Sequence, residues 1–328
     1  MIGLGLGALT TWVAVKLFPK LNLLDFPERY GLTRERLPYP GGLMLFVSSL
    51  LIGFVDSSFL ILLLPVMVLG VLSFIDDRCR VSALKRLAVQ IWLAAFVVIM
   101  GVQINFITNP FAATNFDIAT DWPWLAFALS VIWIVAIQNA INWFDGLPGL
   151  SVGVSGVGFL VLAILGLIRP ELWFDLTHIS LTYANFYLAG LCIGAWWFYW
   201  RGKIILGDTG SQVLGFLLAV MSIWSGAKIA TTLMVLGLPM LDFVWVIFRR
   251  MVLQKKSPFS GDMAHMHHLL TQKVKKARMV SLWLILSSLG LGLAALVAAP
   301  MTKLWLILVF GLAVIGLNLW LWNTQSEN

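Results

Sequence analysis

Two adjacent carboxylates, Asp76 and Asp77, follow the apolar Phe74-Ile75 and precede Arg78, so they stand where a hydrophobic helix leaves its apolar surroundings. Neighbouring side chains on a helix point about 100° apart, so the pair serves two partners, or one metal and one proton. A solvated helix end is the plainer reading of that pair taken alone. Asn139, Asn142 and Asp145 recur at intervals of three, which predicts one helical stripe of two amides and a carboxylate. At membrane depth such a stripe is costly unless it meets a ligand or forms a polar seam with another helix. Gly207-Asp208-Thr209-Gly210-Ser211 opens an apolar run. Its glycines leave backbone amides free for an anion, while the carboxylate can carry a divalent cation. Phosphate with magnesium is the natural pairing, and simple helix capping by Asp208 is the alternative. No G-K-[ST] phosphate loop is present. Three of the four histidines, His265, His267 and His268, fall within four residues in a loop rich in Lys and Arg. Zinc is conceivable from that spacing, but without cysteines or a closed ligand set, diphosphate binding suits the basic surroundings better. Asp242 lies inside an apolar run and is expected to support the site from behind.

The elements that must position these groups are membrane helices. Of 328 residues, 60% are apolar and 11% charged, with a mean hydropathy of +0.93, which excludes a soluble globular domain and a disordered chain. Charge-poor runs near residues 2 to 18, 41 to 55, 58 to 75, 87 to 105, 124 to 141, 149 to 168, 180 to 199, 210 to 226, 228 to 248, 280 to 298 and 303 to 322 supply ten or eleven spans. The tight connections at residues 56 to 58 and 226 to 228 could conceal a helical hairpin or a broken helix. No basic leader or small-residue cleavage site precedes the first run, so no removable signal peptide is expected. The predicted fold is an all-α integral membrane protein: one polytopic domain over residues 1–328, a bundle of 10–11 transmembrane helices with a cytoplasm-facing cleft. If the spans alternate, the loops at 19–40, 76–86, 142–148, 200–209 and 249–279 share one side and hold eighteen of the twenty-two Lys and Arg residues. Arg169, Lys228 and Lys303 fall opposite, with Lys16 at a helix end. That asymmetry marks the first side as cytoplasmic and places the N-terminus outside. The +7 charge therefore speaks for orientation and for anchoring of the lysine runs to membrane lipids, with no nucleic-acid partner. Cys79 in a charged loop and Cys192 in an apolar run are not placed to pair.

The four clusters, taken in order, resemble the polyprenyl-phosphate N-acetylhexosamine-1-phosphate transferase family. The matching pieces are Asp76-Asp77 with Arg86 and Gln90 downstream, Asn139-x-x-Asn142-x-x-Asp145-Gly146, Gly207-Asp208-Thr209-Gly210-Ser211 and His265-x-His267-His268. Asp25-Phe26-Pro27 and Pro38-Tyr39-Pro40-Gly41-Gly42 look like the family's first cytoplasmic loop. The resemblance implies transfer of a sugar-1-phosphate from a UDP-N-acetylhexosamine to polyprenyl phosphate, with release of UMP. It implies Asp76, Asp77 and Asp208 as catalytic residues, and Asn142 with Asp208 as ligands of Mg²⁺, for which Mn²⁺ could substitute. Asn139, Asp145, Arg86, His265, His267 and His268 are implied on the substrate. Inner-membrane location, a cytoplasmic active face and a homodimer follow from the same likeness. The Asp-Asp-Arg and His-x-His-His forms look closer to the GlcNAc-1-phosphate branch than to the phospho-N-acetylmuramoyl-pentapeptide branch, which typically has three consecutive histidines. The pattern departs at Pro148, where a second Asp or Asn is usual, at Ile205, where an aromatic residue commonly stacks on uracil, and at Leu37, where histidine is usual. A secondary transporter is the rival of another class, but it predicts internal repeats and midplane polar sites, and neither is seen.

Overall fold

The computed structural model describes residues 1–30, 34–54, 56–79, 81–112, 114–168, 177–226, 229–259 and 264–324. Arg169 and Lys228 of the charge count, and Asp262 and Met263 beside the histidines, lie outside the described residues. Every one of the eleven apolar runs carries a helix. In chain order the elements are α1 (Ile2–Leu17), α2 (Gly42–Ser49), α3 (Leu60–Cys79), α4 (Ala83–Ile99), β1 (Phe106–Thr108), β2 (Asn115–Asp117), α5 (Ile118–Asp121), α6 (Pro123–Trp143) and α7 (Leu150–Ile168). There follow α8 (Thr177–Trp200), α9 (Gly207–Trp224), α10 (Ile229–Val235), α11 (Gly237–Phe248), α12 (Met266–Val274), α13 (Ala277–Val297) and α14 (Pro300–Asn323). The only strands among the described residues are β1 and β2, an antiparallel pair with Phe106 opposite Asp117.

The chain is an all-α integral membrane protein, and among the described residues not every apolar run forms a helix long and apolar enough to cross alone. Six are long and apolar enough: Ser57–Cys79 (α3 with its leading turn), α6, α7, Ile179–Trp200 of α8, α13 and α14. The α10–α11 pair, bent by 84°, would make a seventh. α1 and the stretch Gly42–Gly53 are shorter apolar helices, while α4 carries Lys85 and Arg86 in its first turn and α9 opens on polar residues. A break falls inside the ninth run at Leu236, while residues 227 and 228 of the tight connection lie outside the described residues. Pro239 has no N–H to donate to the carbonyl four residues back, Val235, which is where α10 stops.

Packing explains why α9 can be the least apolar of the long helices. Residues Thr209 to Ser222 are all buried, because α9 runs through the middle of the bundle against α2, α3, α6 and α7. α2 crosses it closely enough that a Cβ on Gly42 would stand 2.2 Å from the Gly210 Cα, so only glycine fits at that crossing. α14, by contrast, turns Trp305, Leu308, Val309, Leu312, Ile315 and Leu319 outward, as a lipid-facing helix does. Its buried side carries Lys303, Val314, Asn318 and Leu321.

Candidate active site

Hydrogen bonds tie the C-terminal ends of α3 and α6 to the N-terminal ends of α4 and α9, so the predicted clusters meet at one end of the bundle. Arg86, in the first turn of α4, is the joint. Its Nη1 donates to Asp76 Oδ2 (2.5 Å) and to Asp208 Oδ2 (2.6 Å), so one guanidinium nitrogen bridges carboxylates 132 residues apart in sequence. The other Asp76 oxygen accepts from the Val81 amide. Asn142, in the last turn of α6, donates to Asp208 Oδ1 (3.0 Å) and to Ser211 Oγ (2.9 Å). Asp208 keeps 30% of its side chain exposed, whereas Asp76 is buried to 6%.

Asp77 does something the sequence did not indicate. Its Oδ1 accepts from the Asp208 amide (2.8 Å) and the Tyr39 hydroxyl, and its Oδ2 from the Thr209 amide (2.9 Å) and hydroxyl. The amides expected to await an external anion are therefore occupied by Asp77, a negative charge at the positive end of the α9 dipole. Asp208 is not a capping residue either: α9 begins at Gly207, with Leu206 before it, and Asp208 points sideways to Arg86 and Asn142. Gly207 makes that geometry possible, with φ +77° and the Tyr39 ring and Asp77 carboxylate pressed against its Cα.

The predicted stripe on α6 is two residues rather than three. Asn139 Nδ2 donates to Gln90 Oε1 (2.8 Å), and Gln90 in turn donates to Gln212 Oε1 (2.9 Å), which also accepts from Gln138 (2.7 Å). Asn139 thus belongs to an amide seam joining α4, α6 and α9. Asp145 has left the helix, which ends at Trp143, and sits in the following turn. Burial pushes its carboxyl well above the usual range, and the nearby Asp208 charge pushes it the same way.

His265 and His268 face this end of α6 from the start of α12. Gly146 lies directly under the rings: a Cβ there would fall 2.2 Å from His267 Nε2 and 2.7 Å from His268 Cε1. His267 is wholly buried edge-on to Phe144, and burial lowers its pKa below the ordinary imidazole value. Asp242 of α11 holds the segment from behind, accepting from the Met266 amide (2.8 Å) and pairing with His265 Nδ1 (3.0 Å).

Between these groups opens a cleft of about 510 Å³, walled by Arg86, Gln90, Asn139, Asn142, Asp145, His265 and His268 on its polar side. Phe243, Ile247 and Met251 form its apolar side, which continues outward as exposed Val244, Phe248 and Val252. A larger cavity of about 960 Å³ lies at the opposite end, around Gln103, Trp133, Ile229 and Lys303, and contains none of the predicted residues. Size alone would favour it, but the polar groups that could do chemistry converge on the smaller one.

Sequence reasoning passed over Tyr39, Gln138, Gln212 and Arg250 as parts of the site. Gln212 is four residues after Asp208, and that helical period could have placed it on the same face. Arg250 stacks 5.0 Å from the Trp143 ring in the cleft wall, although it belongs to the basic loop. Of the departures from the family pattern, Leu37 and Ile205 make backbone bonds that fasten the first loop, Leu37 to Asp25 and Ile205 to Pro38 and Gly41. Pro148 accepts from Ser281 of α13 through its carbonyl.

Helices of this kind, with three aspartates, an arginine and an asparagine gathered at one end beside a half-apolar cleft, define a multi-pass membrane protein. The chain belongs to glycosyl transferase family 4, whose family model matches residues 59–226, just over half of its length. It is accordingly an enzyme of the transferase class. A probable undecaprenyl-phosphate N-acetylglucosaminyl 1-phosphate transferase of Bacillus subtilis is 28% identical over 298 residues, 88% of this chain and 80% of the relative. A decaprenyl-phosphate N-acetylglucosaminephosphotransferase of Mycobacterium leprae is 29% identical over 318 residues, covering 85% and 77%. An undecaprenyl-phosphate alpha-N-acetylglucosaminyl 1-phosphate transferase of Thermotoga maritima is 28% identical over 277 residues, covering 83% and 82%. The family match contains Asp76, Asp77, Asn139, Asn142, Asp145 and Asp208 and stops before Asp242 and the histidines.

Proposed function

We propose that the chain transfers GlcNAc-1-phosphate from UDP-GlcNAc to a polyprenyl phosphate and releases UMP, beginning a cell-envelope glycan on the cytoplasmic face of the inner membrane. The observation that carries this reading is Arg86 bridging Asp76 and Asp208 beside Asn142 at the mouth of a cleft with one polar and one apolar wall. Two anionic substrates need positive charge between them, and a lipid-linked one needs a greasy approach.

The donor set fits magnesium. Asp208 and Asn142 offer hard oxygens on facing helices, and a cationic group already rests against Asp208. These two residues would hold Mg²⁺, which neutralises charge on the donor diphosphate when bound. Arg86 keeps the Asp76 and Asp208 carboxylates together and adds a fixed positive charge. The lipid phosphate, with a second pKa near ~6, is mostly ionised at neutral pH and needs positioning more than deprotonation. Asp76 orients it or takes its remaining proton. The phosphate oxygen then attacks the β-phosphorus, the bond to the bridging oxygen breaks, and UMP leaves. Every carboxylate oxygen of Asp76, Asp77 and Asp208 already accepts a hydrogen bond, which supports positioning over a covalent role for any of them. His268, His265 and Arg250 stand where they can meet the sugar phosphate. Pairing into homodimers is part of the same reading.

Incubating the purified chain with labelled UDP-GlcNAc, undecaprenyl phosphate and Mg²⁺ tests it. Label should enter the organic phase with one UMP released per lipid product. Absence of lipid product, or preference for UDP-MurNAc-pentapeptide, would refute the assignment.

A further inference from the structure

At the end of the bundle opposite the aspartates, the larger cavity of about 960 Å³ has a lining of two kinds. Leu165, Leu181, Leu296 and Ile307 belong to a wall that is mostly apolar, while Gln103, Thr108, Thr231 and Lys303 add polar atoms to it. Lys303 is the only charged residue of that lining among the described residues. It stands in the first turn of α14, only 8% exposed, and its Nζ donates to Thr231 Oγ1 of α10 (2.8 Å). We propose that this cavity binds one membrane phospholipid with an anionic headgroup, its phosphate on Lys303 and a hydrocarbon chain along the apolar wall.

Three observations carry it. The first is charge. A lysine near the end of a membrane helix ordinarily stretches toward water, yet Lys303 turns inward over the cavity, and an ionisable group kept inside a membrane protein marks a site that uses it. The amino-terminal end of α14 adds the positive end of its dipole, so helix and ammonium favour an anion together. The second is Thr108. Its hydroxyl oxygen is buried in the lining of the cavity and has no hydrogen-bond partner, the condition of a group that awaits a ligand or a water. The third is the rest of the wall. The volume lies at the upper end of the ~300–1,000 Å³ usual for ligand sites, and a small inorganic anion would leave the apolar side uncovered. Ile307 is followed on α14 by the exposed Leu308 and Val309, and Val297 at the turn between α13 and α14 is exposed as well. The apolar wall therefore continues onto the lipid-facing surface, from which a lipid can enter.

A lipid seated against Lys303 and Thr231 would fasten α14 to α10, which it already touches. α10 is one arm of the bent pair, and the other arm, α11, walls the smaller cleft with Phe243 and Ile247. The bound lipid would thus steady the segment that shapes the cleft from the far end of the bundle.

The test is retained lipid, read by native mass spectrometry, and it does not depend on catalysis. The full chain, released into mild detergent from nanodiscs of equal phosphatidylglycerol and phosphatidylcholine, should keep about one phosphatidylglycerol per chain in preference to phosphatidylcholine. Lys303→Met preserves the length of the side chain without its charge and should lower that retention by at least ~10-fold. Lys16→Met, at an exposed lysine outside the cavity, should leave it unchanged. Ala230→Phe fills the cavity while Lys303 stays in place, and it should expel the lipid from a chain that still shows a cooperative thermal transition. Wild-type protein that emerges without lipid, or that keeps phosphatidylcholine equally well, overturns the proposal. Equal retention by Lys303→Met overturns it too, by placing the lipid elsewhere. Displacement of the lipid by excess inorganic phosphate would assign the site to a free anion and have the same effect. Because the wild type is measured directly and the two cavity variants alter different properties, misfolding of one of them cannot rescue the idea.

Discussion

At the residue scale the three aspartates, alike in sequence, separate into distinct tasks. Asp76→Asn and Asp208→Asn remove the charges that Arg86 of the cleft wall bridges, so each should lower turnover by orders of magnitude while the protein still folds, as read by UMP release beside a thermal-unfolding trace. Near-normal release by either would remove it from the reaction. Asp77→Asn should behave differently. It takes the charge from beneath the first turn of α9, which should cost about 2 kcal/mol and lower the unfolding midpoint in detergent, with activity falling as a consequence. Asp145 contributes to the pH dependence. Its folded-state pKa is raised by burial, so between about pH 4 and that higher value the folded chain holds a proton the unfolded chain has lost. In metal-free buffer, stability therefore falls as pH rises through that window. Asp145→Asn should flatten this part of the profile, and an unchanged slope would assign the effect to another group. The identities of Asp76, Asn142 and Asp208 were legible because polar residues at the ends of apolar runs are costly. What Asp77 binds was not, since its partners lie 131 and 132 residues away. Nothing local in the sequence distinguishes it from Asp76.

At the scale of elements, the site depends on how closely α2 and α9 cross. Gly42→Ala should place a methyl group inside the Gly210 backbone. A destabilisation of about 3 kcal/mol or more is expected, seen as loss of the folded peak in size-exclusion chromatography. Gly290→Ala, where a Cβ would meet nothing within 4 Å, is the matched control and should be silent. Hydropathy located the helices of all eleven apolar runs but not α5 or α12, and it misjudged the surroundings of α9, because it reads average greasiness and not neighbours. α9 is sheltered on all sides, so it tolerates Asp208, Thr209, Ser211 and Gln212 that a lipid-facing helix could not. The α10–α11 bend went unread, since Pro239 acts on a carbonyl four residues back and average hydropathy does not register it. The end of α6 was missed by two residues, which moved Asp145 from a helical stripe into a turn.

At the scale of the whole molecule, sidedness has a native reporter. Cys79 is free and exposed at the α3 end that carries the aspartates, and Cys192 is buried. A membrane-impermeant maleimide should therefore label inverted vesicles at one site and leave right-side-out cells unlabelled. The reverse pattern would place the cleft outside. Chelation by EDTA should abolish turnover and added Mg²⁺ or Mn²⁺ restore it, measured as lipid-linked product. The flank of α11, with Val244, Phe248 and Val252 bare beside the cleft, bears on how a very long isoprenoid is handled. A substrate of that sort can slide in edgewise with its tail still dissolved among acyl chains, so the enzyme never has to extract it or build a tunnel to its full length. Catalysis should then be nearly indifferent to how many isoprene units trail behind, and far more sensitive to the thickness and fluidity of the surrounding bilayer.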